Sequence, residues 1–183
     1  MLGRHEEAAE NYRLGLGLKP DYAQAYNNLG ISLREQGLFD EAVQSCEQAI
    51  RLEPDCSQFY SNLASILQHQ GRPIDAVTNC ERAISLKPDN AEAYFNLASV
   101  LRDCGRLDEA VQKNSRAIQL RPDYAEAHWN QAITYLLRGD FKEGWREFQW
   151  RRKTDWHADA YPHKHRKPRW KGGRFTGKRL LVH

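Results

Sequence analysis

Apolar residues recur along most of this chain at the three-and-four spacing of a helix with one buried face. Tyr26, Leu29 and Leu33 keep that spacing, as do Tyr60, Leu63, Leu67 and Tyr94, Leu97, Leu101. Each run is closed by a glycine, Gly37, Gly71 or Gly105, and Gly139 follows at the same interval. Glycine adopts the left-handed conformation that ends a helix at little cost, so these positions predict helix ends. A second helical run follows each glycine, carrying Ala42, Cys46, Ala49 in one copy and Ala76, Cys80, Ala83 in the next. Pro20, Pro54, Pro88 and Pro122 stop the second run, because proline lacks an N–H and disfavours helix in the residue before it. The pattern therefore predicts pairs of antiparallel helices.

The pairs are copies of one another. Lys19-Pro20-Asp21, Glu53-Pro54-Asp55, Lys87-Pro88-Asp89 and Arg121-Pro122-Asp123 recur 34 residues apart, and each is followed by a related block (AYNNLG, FYSNLA, AYFNLA, AHWNQA). Gly30, Ala64, Ala98 and Ala132 share one column, where a small side chain lets the two helices of a pair approach. A larger group there would overpack them, at about 1–3 kcal/mol. The fourth copy drifts: His128 and Gln131 replace tyrosine and leucine, Gly144 replaces alanine, and the second helix expected over 141–153 gains Trp145, Phe148 and Trp150. Period, glycine, alanine and proline columns together resemble the tetratricopeptide repeat over roughly residues 3–153. The expected fold is an all-α, right-handed α-solenoid of antiparallel helical hairpins in which each hairpin touches only its neighbours. The expected division is a partial repeat at 1–20 (second helix only), an array at 21–153 with three full repeats and a degenerate fourth, and an irregular basic tail at 154–183. The opening Gly3-Arg4-His5-Glu6-Glu7-Ala8 aligns with Gly37 to Ala42, so the chain starts inside a repeat and reads as a fragment or truncated frame. Tyr12 and Leu16 are then expected to lack part of their cover, and the exposed apolar surface is one that another chain could pair with.

Composition narrows the class. Of 183 residues 28% are charged, and no run of about 18 apolar residues occurs, which removes a helical membrane span. The first residues hold no apolar stretch behind a basic start, so no secretory signal is read. Cys46, Cys56, Cys80 and Cys104 form no C-x-x-C pair and no zinc-ligand spacing. A cytoplasmic, reduced setting is expected, with Cys46 and Cys80 as small buried hydrophobes. Residues 1–145 carry 15 Lys+Arg against 21 Asp+Glu, whereas 146–183 carry 12 against 3. Such asymmetry marks segments with different roles.

The most regular polar feature is Asn28, Asn62, Asn96 and Asn130, one per copy. An amide both donates and accepts, so it pairs with a peptide backbone of any sequence. The row resembles the asparagine ladder of O-linked N-acetylglucosamine transferases, whose repeat arm holds protein substrates. Packing and hydrogen bonding within the hairpins is the other reading of the same column. The neighbouring column varies (Asn27, Ser61, Phe95, Trp129), as does the one a turn further on (Arg34, Gln68, Arg102, Leu136). Variation on one face suits selectivity, with Phe95 and Trp129 as aromatic anchors; packing against the C-terminal segment is the alternative for Trp129. The expected peptide-binding set is thus Asn27, Asn28, Asn62, Asn96, Asn130, Phe95, Trp129, Arg34 and Arg102. The carboxylate-clamp subtype is disfavoured, since Gln24, Gln58, Glu92 and Glu126 stand where lysine is needed.

No cofactor is expected. Gly172, Gly177 and Lys178 approach a phosphate loop, but Arg179 stands where serine or threonine is required, and a strand follows the glycines instead of preceding them. His157, His163 and His165 lack a thiol or carboxylate pattern for a metal. Residues 167–183, KPRWKGGRFTGKRLLVH, resemble the junction at which bacterial repeat proteins enter a glycosyltransferase-like domain. No paired carboxylates, nucleophile–base set or cofactor loop points to catalysis. The first expectation is a non-catalytic module that binds an extended peptide or protein segment in its concave groove. The alternatives are the N-terminal substrate-recognition arm of a larger glycosyltransferase-like enzyme, and a basic adaptor for nucleic acid or an anionic surface.

Overall fold

The computed structural model describes residues 2–153. The basic tail at 154–183, with its junction motif, its histidines and its expected strand, lies outside the described residues. The described chain forms nine α-helices: α1 (Leu2–Leu18), α2 (Ala23–Glu35), α3 (Phe39–Leu52), α4 (Ser57–His69), α5 (Pro73–Leu86), α6 (Ala91–Asp103), α7 (Leu107–Leu120), α8 (Ala125–Arg138) and α9 (Phe141–Glu147). A 3-10 segment, Phe148–Lys153, closes it. None of these helices is long and apolar enough to cross a membrane.

The turn glycines behave as their spacing predicts. Gly37, Gly71, Gly105 and Gly139 have φ of 77°, 79°, 75° and 94°, which an L side chain rarely adopts. Helices pack in pairs, α2 with α3, α4 with α5, α6 with α7, α8 with α9, and each second helix also meets the next first helix. First helices touch along the stack, α2 to α4 to α6 to α8, whereas neighbouring second helices do not meet. A stack held closer on one side bends toward it. The molecule is an α-solenoid whose concave side is lined by α2, α4, α6 and α8.

Its core is a continuous seam of small and branched residues. Ala42, Cys46, Ala76, Cys80 and Ala110 are fully enclosed between Leu29, Leu33, Leu63, Leu67, Leu97 and Leu101. Burial pushes the thiols of Cys46 and Cys80 up to about 12. Thiolate is the reacting form. At pH 8, Cys104, which is exposed, is expected to react first with Ellman's reagent, while Cys46 and Cys80 react only after denaturant is added. Fast release of four equivalents from the folded chain would contradict this packing.

Two expectations are corrected. Leu16 does not lack cover: with Ala9 it is buried in the main core, whereas Tyr12 packs against that core but stays partly buried. Among the described side chains of α1, the uncovered large apolar residues are Leu14 and Leu18, 71% and 90% exposed. The second helix of copy four is also not one helix over 141–153. Phe148 stands in the column of Cys46, Cys80 and Asn114, all completely buried in the close contact between the helices of a pair. A phenyl ring does not fit there. The chain tightens into the 3-10 segment at Phe148, whose ring lies 4.8 Å from that of Trp129 and 5.0 Å from that of Trp145. Gly144 belongs to the same adjustment, since a Cβ there would lie 2.7 Å from Leu136 Cδ2.

Candidate peptide-binding groove

The asparagine column sits on the concave helices, and most of it is turned into the joints between copies. Asn28 is half-buried, while Asn62, Asn96 and Asn130 are 8%, 9% and 3% exposed. Asn62 Nδ2 donates to Asn27 Oδ1 at 2.8 Å, and Asn96 Nδ2 to the Ser61 carbonyl at 3.1 Å, each reaching 35 residues back along the chain. Asn130 Nδ2 donates to Asn114 Oδ1 at 3.3 Å and its Oδ1 accepts from Arg102. These amides tie neighbouring first helices together, with one hydrogen of each already spent.

Most of the variable column meets the next copy. Asn27 is 1% exposed and bonded to Asn62, which corrects its expected place on the open face. Ser61 is buried beside Asn90, whose Nδ2 donates to it at 3.3 Å. Phe95 is half-buried with its ring 5.2 Å from Tyr124, and Trp129 packs on Phe148. Burial, then the nearby charge of Glu92, drives the Tyr124 hydroxyl above its ordinary range. Each side chain of the column thus meets a different partner, at the following copy for Asn27, Ser61 and Phe95 and within its own copy for Trp129. Arg34 and Arg102 stand on the groove wall and are also committed. Arg34 donates to Ser65 Oγ at 2.9 Å and pairs with Glu35; Arg102 donates to Asn130 and pairs with Asp103. The hydrogen bond from Arg34 holds the Glu35 carboxyl below the usual carboxylate range.

Between α4 and α6 the concave side opens into a cleft of about 380 Å³, lined by Ser65, Gln68, Phe95, Asn96, Ser99 and Arg102, with His69 and Asp103 at its edge. Gln68 Nε2 donates across it to Ser99 Oγ at 3.0 Å and to Asp103 Oδ2 at 2.6 Å. Both serine hydroxyls accept a bond and keep a hydrogen to give, and Gln68 keeps a carbonyl oxygen to accept with. A half-buried aromatic floor under alternating neutral donors and acceptors suits an extended backbone.

Sequence comparison places these copies. Tetratricopeptide-repeat models match residues 23–56, 57–90 and 79–112, and a TPR-repeat model matches 2–37 and 98–139. The chain belongs to the tetratricopeptide-repeat family. No curated protein matches it by sequence. Among solved structures this TPR chain is similar to MamA, with 23% identity, 87% of this chain and 93% of that chain covered, and a TM-score of 0.68. It is similar to YrrB, a TPR protein with an unusual peptide-binding site (23% identity, 88% and 80% covered, TM-score 0.60). It is also similar to pilF of Pseudomonas aeruginosa (17% identity, 81% and 68% covered, TM-score 0.71). At these identities the likeness is one of fold.

Sequence reading missed two features of the TPR array. Ser65 and Ser99 share a small-polar column between isoleucines, Ile31 and Ile133, which marks the cleft between the middle copies. His128 is the other. Its Nδ1 lies 2.7 Å from Glu147 Oε2, its Nε2 3.0 Å from the Pro122 carbonyl, and its ring stacks on Trp150 at 3.9 Å. Tyr60 makes the matching bond to the Pro54 carbonyl, at 3.0 Å. The histidine keeps that bond and adds a contact that docks α9 on α8. The signal was the break in the tyrosine column.

Proposed function

We propose that the chain is a non-catalytic interaction module that holds an extended peptide or protein segment on its concave side. The cleft between α4 and α6 supports this reading best. It offers open hydroxyl donors at Ser65 and Ser99, open acceptors at Gln68 and Asn96, and Phe95 as an aromatic floor. Asn62 and Asn130 act in this reading mainly as framework that fixes the spacing of the first helices, with Asn28 and Asn96 at the ligand. Phe95 contributes a partly open ring, whereas Trp129, Arg34 and Arg102 shape the walls from positions already bonded to the protein.

Blocking the cleft tests it. Peptides selected from a random library on the full chain are expected to lose at least about tenfold in affinity for Ser99→Trp, whose side chain fills the cleft. Thr78→Trp, exposed on α5 away from the groove, is expected to leave them unchanged. Equal affinity of selected peptides for both variants, with intact helicity, sinks the groove reading.

A further inference from the structure

Resting on that reading, we propose that the third copy carries a receptor for one cationic side chain, a lysine or arginine of the bound segment, formed by Asn96 Oδ1, the Glu92 carboxylate and the Phe95 ring. A break in the register of the column one turn before the asparagines carries the argument. In the first copy Gln24 Nε2 donates to Asn28 Oδ1 at 2.9 Å, and in the second Gln58 Nε2 donates to Asn62 Oδ1 at 3.2 Å. In the third copy that glutamine is Glu92. An ionised carboxylate has no hydrogen to give. Asn96 is 9% exposed and lines the cleft; its Nδ2 is spent on the Ser61 carbonyl, and its Oδ1 receives no donor from the described residues. The residue is enclosed but this oxygen stays open to the cleft, so it is free to accept from a bound segment.

The fourth copy shows that the gap is local. Glu126 stands in the same column, yet there Arg102 reaches across and donates to Asn130 Oδ1. No described cation does the same for Asn96. Glu92 accepts one bond, from Gln58 Nε2 at 3.0 Å, and forms no ion pair with a described residue. The two groove arginines are committed to Glu35 and Asp103. Glu92 and Asn96 stand one turn apart on the same face of α6, so the third copy carries two acceptors that no described cation satisfies, one of them charged, with the half-buried Phe95 ring on the same turn. A group that only donates and carries positive charge satisfies both, which describes an ammonium or a guanidinium. A carboxylate or phosphate meets repulsion from Glu92, and a neutral amide leaves Glu92 without a counter-charge. The Phe95 face adds attraction for a cation.

The test uses the full chain and fluorescein-labelled peptides of about twelve residues, roughly 40 Å when extended. One alternates lysine with serine, one glutamine with serine and one glutamate with serine. Fluorescence anisotropy is expected to show the lysine peptide bound about tenfold tighter than the glutamine peptide, and the glutamate peptide weakest. Glu92→Gln is expected to bring the lysine peptide down to the level of the glutamine peptide. The melting temperature should stay or rise, because the new amide can repeat the bond that Gln58 makes to Asn62. A lysine peptide that binds Glu92→Gln as tightly as the parent, or that does not bind the parent, overturns the receptor. If the glutamine peptide binds and is lost with Ser99→Trp while Glu92→Gln has no effect, the receptor fails and the groove stands. If no peptide responds to Ser99→Trp, both fail.

Discussion

Phe59→Ala is expected to lower stability by about 3–5 kcal/mol, the largest loss from any single truncation in the described chain. Phe59 is the largest fully buried side chain and fills the joint between the first two copies, among Ala23, Ala49, Tyr26, Ile50, Leu52 and Cys56. The other copies carry alanine in its column, at Ala25, Ala93 and Ala127, so column statistics alone would rate the change as harmless. Packing says otherwise. In the last joint the bulk comes from Tyr124, which covers Ala117 and Ala127, and its counterpart in the joint of Phe59 is the small Cys56. One large residue fills each of these joints, from either of two columns. Removing the phenyl ring leaves both columns small and opens a cavity against α2 and α3. Because stability in a solenoid runs through neighbour contacts, α1–α3 should melt ahead of the rest, and urea unfolding followed by circular dichroism should broaden. Cys56→Tyr added to Phe59→Ala moves the bulk to the column that Tyr124 uses and is expected to recover more than half of the loss. A single variant that melts like the parent would show that the joint does not depend on this ring.

The same comparison shows what the sequence could and could not reveal. Helix positions, turn glycines and the small column facing the second helices follow from periodicity, because each depends on local backbone preference and on one repeated contact. The roles of the polar columns do not follow, because they depend on partners about 35 residues away. Asn62 and Asn96 occupy the same place in their copies, yet one receives a bond from a glutamine and the other does not, which only the paired glutamine and glutamate one turn earlier explains. Asn27 read as a selectivity residue because it varies; it varies because it meets Asn62 where Ser61 meets Asn90. Asn114 replaces a cysteine in the core, where its Nδ2 is buried without a partner, and its meaning lies in the bond its oxygen accepts from Asn130. The fourth copy departed most from its expected form. The bulk of Phe148 and the two acceptors around His128 act together there, and neither departs from helical spacing.

Gly30→Leu is expected to cost about 3 kcal/mol, at the upper end of overpacking in a closed core. Gly30 is the one glycine of the column that reads Ala64, Ala98 and Ala132 elsewhere. A Cβ at this position would lie 2.5 Å from Cys46 Sγ and 3.0 Å from the Ala42 carbonyl oxygen. The sulfur can turn aside, whereas the carbonyl belongs to α3 and moves only with that helix. Two substitutions separate these contributions. Gly30→Ala adds only the Cβ and gains helix propensity of about 1 kcal/mol over glycine, so thermal unfolding should place it within about 1 kcal/mol of the parent. Gly30→Leu carries its branch into the backbone of α3 and must part α2 from it. The consequence for the groove is specific. Asn27 and Asn28 ride on α2, so parting the hairpin strains the Asn62–Asn27 bond at the first joint, while the cleft between α4 and α6 keeps its own helices. Peptides that select the cleft should therefore bind Gly30→Leu normally at temperatures where it is folded. Loss of their affinity in step with loss of stability would mean that the groove works as one rigid surface and not as separate joints.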